Sequence, residues 1–369
     1  MALKIGVVAN TAFNIYNYRL GLMRFLKAQG HTVYAIAPTD DYTTLIEQQG
    51  FECIAVKHLS RKGTNPINDI RLLFELKSIY KKLQLDVVLQ YTIKPNIYGT
   101  LASKLSNTKA ICTITGLGYT FLNKGLAASV AKKLYQVALQ YAHKVVFQNT
   151  TDKELFIQLN LVDKNKTAIV NGSGIDTDFF NPDYCSSIEK KNNQFAFLMV
   201  ARLLKDKGIY EYIAAAKFIQ QKYKQAIFYL IGDIDEDNPS SITEVELNEW
   251  INNKTISYLG YQKDIRPYYC MADVVVLPSY REGMPRVVLE ALAMQIPVIT
   301  TNAPGCNDAI DDTCGIKVDV KDIESLQNAM KKMLQLDETK LMQMRISSRQ
   351  RAINVYSEKI ICEFYQSVL

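Results

Sequence analysis

Between Ala272 and Glu290 the chain spells out a strand, a turn and a helix start, and that succession leaves little choice of architecture. The run Ala272-Asp-Val-Val-Val-Leu-Pro278 is short, β-branched and unbroken, which predicts a strand buried on both faces of a parallel sheet. In the next stretch, Ser279-Tyr-Arg-Glu-Gly-Met-Pro-Arg-Val-Val-Leu-Glu290, a Glu-Gly turn follows. Pro285 falls where a helix opens, because a first-turn residue needs no N–H and Pro already has a helical φ. Val287, Val288, Leu289, Ala291 and Leu292 continue it as an apolar helix. Strand, glycine turn and helix N-terminus form a geometry that receives a phosphate on free backbone N–H groups at the positive end of the dipole. Glu282 stands before the helix and Glu290 about one and a half turns inside it, so the two acids lie at different depths. A generic glutamate pair is a turn residue and a solvated helix face. The Gly and Pro held between these two weigh against that reading.

The 369 residues are too many for one core and suit two domains. A hydrophobic content of 48% and a charged content of 22% are those of a soluble globular protein. No apolar run reaches the ~18 residues of a membrane span. The opening Met-Ala-Leu-Lys-Ile-Gly-Val-Val-Ala-Asn runs straight into a strand and lacks the layout of a signal peptide. Seven cysteines (Cys53, Cys112, Cys185, Cys270, Cys306, Cys314, Cys362) are scattered and never spaced Cys-x-x-Cys. They are expected to be reduced thiols of a cytoplasmic protein. Three separated histidines argue against a His-based metal site. The net charge of +6 fits an anionic small ligand or an anionic membrane surface, and nothing resembles a nucleic-acid-reading module.

Lys4–Ala9, a helix from Arg19 to Gly30, and the strand 31–37 read as a βαβ unit that opens a doubly wound sheet. The polar segment Asn10–Tyr18 is expected to be a loop at the ligand-binding ends of the strands. Arg19 at a helix start is unfavourable for the dipole, so it is either a solvated Arg or a sign of a nearby anion. Further strands are expected at 53–56, 86–91, 110–115 and 144–148, with helices near 68–84, 96–105, 127–142 and 151–160. The loops Tyr91–Asn96 and Thr115–Phe121 are candidate functional loops, although Gly116-x-Gly118 alone fits a tight turn. Thr167–Asp176 ends the first half, and the polar stretch after Asn181 reads as a linker. The second half begins with a strand at 195–201. Arg202 and Lys207 flank the following strand-to-helix connection, where both charges can converge on one diphosphate or belong to a solvated basic loop. Asp233-Ile-Asp235 has the form of a metal-binding Asp-x-Asp but reads better as a solvated acidic loop. Strands at 226–231, 256–261 and 297–300 follow, with amphipathic helices over 322–335 and 338–369.

Glu282-x7-Glu290, in register with Arg202 and Lys207, resembles the donor-site motif of retaining GT-B glycosyltransferases of the family 4 group. The resemblance covers essentially the whole chain. The Asn171-Gly-Ser-Gly-Ile-Asp176 stretch resembles the family's Asn-Gly-x-Asp element. Asp237-Asn-Pro239, Ser279–Gly283 and Gly305–Ile310 look most like bacterial lipid-linked-glycan α-1,3-N-acetylgalactosaminyltransferases. The resemblance implies an α/β fold of two Rossmann-like doubly wound domains facing a central cleft. An acceptor-binding domain would span 1–180, a linker 181–194 and a nucleotide-sugar domain 195–349, with 350–369 crossing back onto the first domain. It implies transfer of an N-acetylhexosamine, best GalNAc, from a UDP-sugar to an undecaprenyl-diphosphate-linked saccharide, with retention and with no metal or other cofactor. Arg202, Lys207 and Glu282 would be catalytic. Gly172, Tyr261, Gly283, Met284, Pro285, Arg286 and Glu290 would join them around the donor, with Glu290 on the ribose hydroxyls. Asn14, Arg19, Lys94, Thr115 and Gly116 would face the acceptor. In one departure, Thr115 stands where many family members carry a donor-contacting His.

A GT-B sugar-nucleotide epimerase and a non-catalytic nucleotide-sugar-binding protein are the competing readings. A dinucleotide dehydrogenase is poorly supported, because no Gly-x-Gly-x-x-Gly follows the first strand. Tyr16, Tyr18, Arg19, Lys94, Tyr119, Phe121 and Lys124 are either scattered loop residues or a patch that leans on the anionic inner face of the plasma membrane. The second alternative makes the protein cytoplasmic and peripheral.

Overall fold

The computed structural model describes residues 2–60, 65–117, 126–187, 194–236 and 238–369. Gly118, Tyr119, Phe121, Lys124, the end of the expected linker and Asp237 lie outside these described residues. The chain forms two units, Met1–Gly174 with Glu358–Leu369, and Ile175–Ser357.

The first unit is built on seven parallel strands: β1 (Lys4–Val8), β2 (Thr32–Ala37), β3 (Glu52–Ala55), β4 (Val87–Tyr91), β5 (Lys109–Ile114), β6 (Lys144–Phe147) and β7 (Thr167–Ile169). Their order is β3-β2-β1-β4-β5-β6-β7. The order therefore reverses between β1 and β4, the switch point at which open α/β sheets hold ligands. Every residue of β4 is buried, as a central strand with helices on both faces requires. Ile361, Cys362 and Tyr365 of the closing helix Glu358–Val368 share a core with Ile5, Val7, Met23 and Leu89.

Two expected loops are helical. The first helix runs Ala12–Ala28, with Thr11 as N-cap accepting from the Asn14 N–H. Thr11 is a good capping residue, and Ile15, Leu22, Met23 and Leu26 give the helix its buried face. Arg19 thus sits in the second turn, clear of the positive dipole end in the first. The stretch after Tyr91 also turns helical, as a π-turn at Pro95–Gly99 that continues into a helix over Thr100–Ser106.

The second unit has six parallel strands: β8 (Phe195–Val200), β9 (Ala226–Ile231), β10 (Ser257–Tyr258), β11 (Val274–Leu277), β12 (Val298–Thr301) and β13 (Gly315–Val318). Their order is β10-β9-β8-β11-β12-β13. Strand β11, where the sequence places its buried strand, is buried at all four residues.

The division between units falls after Gly174, ahead of the segment 181–194 that composition marks as a linker. Phe180 is buried in the second core, Arg349 donates to the Thr177 and Phe180 carbonyls, and Pro182–Ser187 forms a 3-10 turn. Polar composition marks the stretch but carries no sign of these anchors. The return falls after Ser357 rather than near 350, because Ala352 and Tyr356 are buried in the second unit. Nor are all the cysteines reduced: Cys185 and Cys270 form a disulfide, while Cys53, Cys112, Cys306, Cys314 and Cys362 are free. No helix among the described residues is long and apolar enough to cross a membrane.

Candidate active site

Three loops meet at the carboxyl edge of the second sheet, behind β8, β11 and β12. After β8 the chain makes a 3-10 turn at Lys205–Lys207 and enters the helix Ile209–Lys222 through Gly208. Gly208 has φ +76°, and a Cβ there would stand 2.1 Å from the Pro278 carbonyl oxygen. Only glycine allows this approach, and it seats Lys207 against the loop that leaves β11. Two hydrogen bonds fix the seat: Tyr280 N–H and Ser279 Oγ both donate to the Asp206 carbonyl. On the other side Thr301 Oγ1 donates to the Ser279 carbonyl, and Glu282 N–H donates to the Pro304 carbonyl. Gly305, at φ +78°, repeats the device, since a Cβ there would lie 2.3 Å from the Glu282 carbonyl oxygen.

This scaffold brings together two of the three residues that the sequence marks as catalytic. Lys207 Nζ lies 2.5 Å from Glu282 Oε1, with each side chain 16% exposed. Arg202 does not join them. Half exposed, it pairs with Asp235 at 3.1 Å, so one acid of the Asp233-Ile-Asp235 motif neutralises an arginine. No group of three or more metal-ligating side chains occurs among the described residues.

Pro285 is the N-cap at ψ 106° rather than the first helical residue, and the helix runs Arg286–Ala293. A proline cap has no side-chain acceptor, and none caps this helix. The Pro285 carbonyl already takes the Val288 N–H, and the positive end of the helix dipole faces the Glu282 turn. Glu290 is 8% exposed, which removes the solvated-face reading. Oε1 accepts from Arg286 Nε and Oε2 from Tyr269 Oη, both at 2.9 Å. Burial pushes the Glu290 carboxyl above its usual range, against the opposing pull of Arg286 and the Tyr269 hydrogen bond. Tyr269 escaped the sequence reading because no motif ties it to a glutamate 21 residues on. Behind the Glu282 turn the Cys306 thiol is pushed up to about 12 by burial, with the Glu282 charge adding to it, which leaves it a packing residue.

The remaining expected residues divide by unit. Gly283 shares the Glu282 turn, Met284 packs partly buried against the second core, and Tyr261 is exposed beyond β10. Gly172 belongs to the first unit, as do all five acceptor-side residues. Thr115 and Gly116 follow β5, partly buried. Lys94 pairs with Asp69 at 2.7 Å, whose other oxygen accepts from Tyr98. Arg19 is buried, with its guanidinium 3.8 Å above the Tyr91 ring. Tyr16 packs on Tyr42. Arg19 and Lys94 therefore cannot serve as the exposed cations of a membrane-facing patch.

Residues 4–149 match the family model described as "Glycosyl transferase 4-like", and residues 194–336 the model "Glycosyl transferases group 1". The chain is 30% identical to the N,N'-diacetylbacillosaminyl-diphospho-undecaprenol alpha-1,3-N-acetylgalactosaminyltransferase of Campylobacter jejuni, covering 98% of this chain and 97% of the relative. It is 28% identical to the UDP-Gal:alpha-D-GlcNAc-diphosphoundecaprenol alpha-1,3-galactosyltransferase of Escherichia coli, over 72% and 70% of the two chains. Among solved structures, a glycosyltransferase from Rickettsia africae superposes with a TM-score of 0.80 at 21% identity, covering 100% and 98%. Anabaena HepE in complex with UDP and glucose gives 0.78 at 18% identity, covering 99% and 100%.

Proposed function

This chain belongs to the family 4-like glycosyltransferases of GT-B fold, and on that premise we propose that it is a retaining hexosyltransferase using a UDP-sugar. The proposed donor sugar is an N-acetylhexosamine, GalNAc first. The proposed acceptor is a lipid-diphosphate-linked saccharide, because both relatives named above carry such substrates in their names. The observation that carries the reading is the Lys207–Glu282 pair beside the N-terminus of the Arg286–Ala293 helix.

A departing UDP needs positive charge, and Lys207, Arg202 and the N–H groups at Arg286 can supply it if each cation leaves its carboxylate for the diphosphate. Glu282, released from Lys207, then holds the sugar with the Gly283–Arg286 backbone. Glu290 accepts from the ribose hydroxyls through lone pairs that Arg286 and Tyr269 leave open. Retention follows a front-face route. The acceptor oxygen bonds to the anomeric carbon as the bond to the β-phosphate oxygen breaks, and that phosphate oxygen takes the acceptor proton. No metal is given a part. A covalent glycosyl–enzyme adduct trapped during turnover would refute the route.

The enzyme would work on the cytoplasmic face of the plasma membrane as a peripheral protein. The described surface that best supports this is a pair of concavities lined by Lys104, Lys109, Lys133 and Lys166, with exposed Val137 and Tyr141 beside them. Such a surface suits anionic lipid, and liposome sedimentation that ignores lipid charge would remove the idea.

The deciding experiment follows UDP release from a panel of UDP-sugars, with and without a polyprenyl-diphosphate monosaccharide. Acceptor-dependent turnover of UDP-GalNAc is the expected result. UDP binding with silence across the panel would favour a binding protein, and interconversion of UDP-sugars without acceptor an epimerase.

A further inference from the structure

The first unit holds a cation that its own fold does not neutralise. Arg19 is 4% exposed, its Nε is buried without an acceptor, and no carboxylate among the described residues pairs with it. Buried charges are ordinarily paired. Lys94 shows that the unit can do this, since Asp69 takes its charge. Arg19 instead sits with its guanidinium carbon 3.8 Å from the centre of the Tyr91 ring, a cation–π contact that holds the group without neutralising its charge.

Other unsatisfied groups share this edge of the sheet. Asn14 Oδ1, Thr92 Oγ1 and Asn96 Oδ1 are all buried without a partner. Asn96 is 1% exposed, and its Nδ2 is already committed to the Thr113 carbonyl. Thr92 adopts φ +71°, a conformation that a β-branched residue takes only when its surroundings impose it. Arg19 and Asn14 come from the helix after β1, and Thr92 and Asn96 follow β4. These are the two strands between which the sheet order reverses.

The geometry points to a recessed oxyanion site that takes a phosphate of the lipid-diphosphate acceptor. Arg19 provides a planar fork for two phosphate oxygens and Thr92 a hydroxyl donor. The Asn14 and Asn96 carbonyls accept from hydroxyl or amide groups of the attached sugar. The source of the phosphate rests on the glycosyltransferase reading above, whereas the oxyanion site stands on this unit alone.

Two measurements test the parts separately. Calorimetric titration of the full chain with inorganic pyrophosphate needs no donor and no turnover. Binding that weakens at least tenfold in Arg19→Gln and partly recovers in Arg19→Lys supports the site, provided both variants keep the wild-type circular dichroism spectrum. Equal affinity in all three proteins overturns it, even if the enzyme transfers sugar normally. Steady-state kinetics then assign the source: KM for a polyprenyl-diphosphate-linked N-acetylhexosamine should rise at least tenfold in Arg19→Gln, with KM for the UDP-sugar little changed. A rise confined to the UDP-sugar KM would overturn the acceptor assignment.

Discussion

The two sheet edges treat charge in opposite ways. At the edge of the second sheet every candidate cation is already matched: Lys207 with Glu282, Arg202 with Asp235, Arg286 with Glu290. At the edge of the first, Lys94 is matched but Arg19 is not. A matched cation must break a contact before it can serve a ligand, so binding there is an exchange of partners whose net gain depends on what the ligand offers. An unmatched buried cation has been stripped of solvent during folding and gains fully from the first anion to reach it. The second edge is thus suited to a group whose charge grows during reaction, and the first to a group whose charge is constant.

Breaking the Lys207–Glu282 pair should have the largest effect. Lys207→Ala and Glu282→Ala are each expected to lower kcat by about 10²–10³, the usual loss when one preorganised partner of a developing charge is removed. A loss confined to KM would show that the pair only holds ground-state donor. Arg202→Ala should cost less, about tenfold in kcat/KM, because its half-exposed charge is screened and interacts mainly with water and Asp235. Equal losses at both cations would dissolve the distinction drawn here between them.

Glu290 sharpens the comparison through pH. Its folded pKa is raised above the ordinary 4.5, so its contribution to stability is fully present below about that pH. That contribution declines as the pH rises, because the unfolded chain gives up this proton first, and the decline ends once the pH passes the folded pKa. Per proton the slope cannot exceed about 1.4 kcal/mol per pH unit. Glu290→Gln lacks this decline, so denaturant unfolding should show the variant gaining on the wild type as pH rises from 4.5. A constant difference across that window would contradict the burial argument. The smallest effect is expected from Asp69→Asn, which frees Lys94. Pyrophosphate affinity of the first unit should rise roughly twofold, a long-range gain through partly screened charge.

What the sequence disclosed follows the range of the forces involved. The buried strand before Pro278 and the Gly turn at Glu282–Gly283 are local patterns, and the structure reproduces them. The meeting of Lys207 with Glu282 was foreseeable only through the family motif, since nothing local says that β8 and β11 are neighbours. The first helix is expected from Arg19 although it begins at Ala12, and the burial of Arg19 against Tyr91, distant in sequence, leaves no local signature. The Cys185–Cys270 disulfide joins residues 85 apart in sequence, a separation at which cysteine spacing says nothing.

The closing helix has a consequence for biosynthesis. Its residues Ile361, Cys362 and Tyr365 complete the core of a unit whose other residues all precede Ile175. The second unit is therefore an insertion within the first. All residues of the second unit are synthesised before the helix that completes the core of the first. The seven-stranded unit, with its unneutralised arginine, cannot complete its core until Glu358–Val368 has been made.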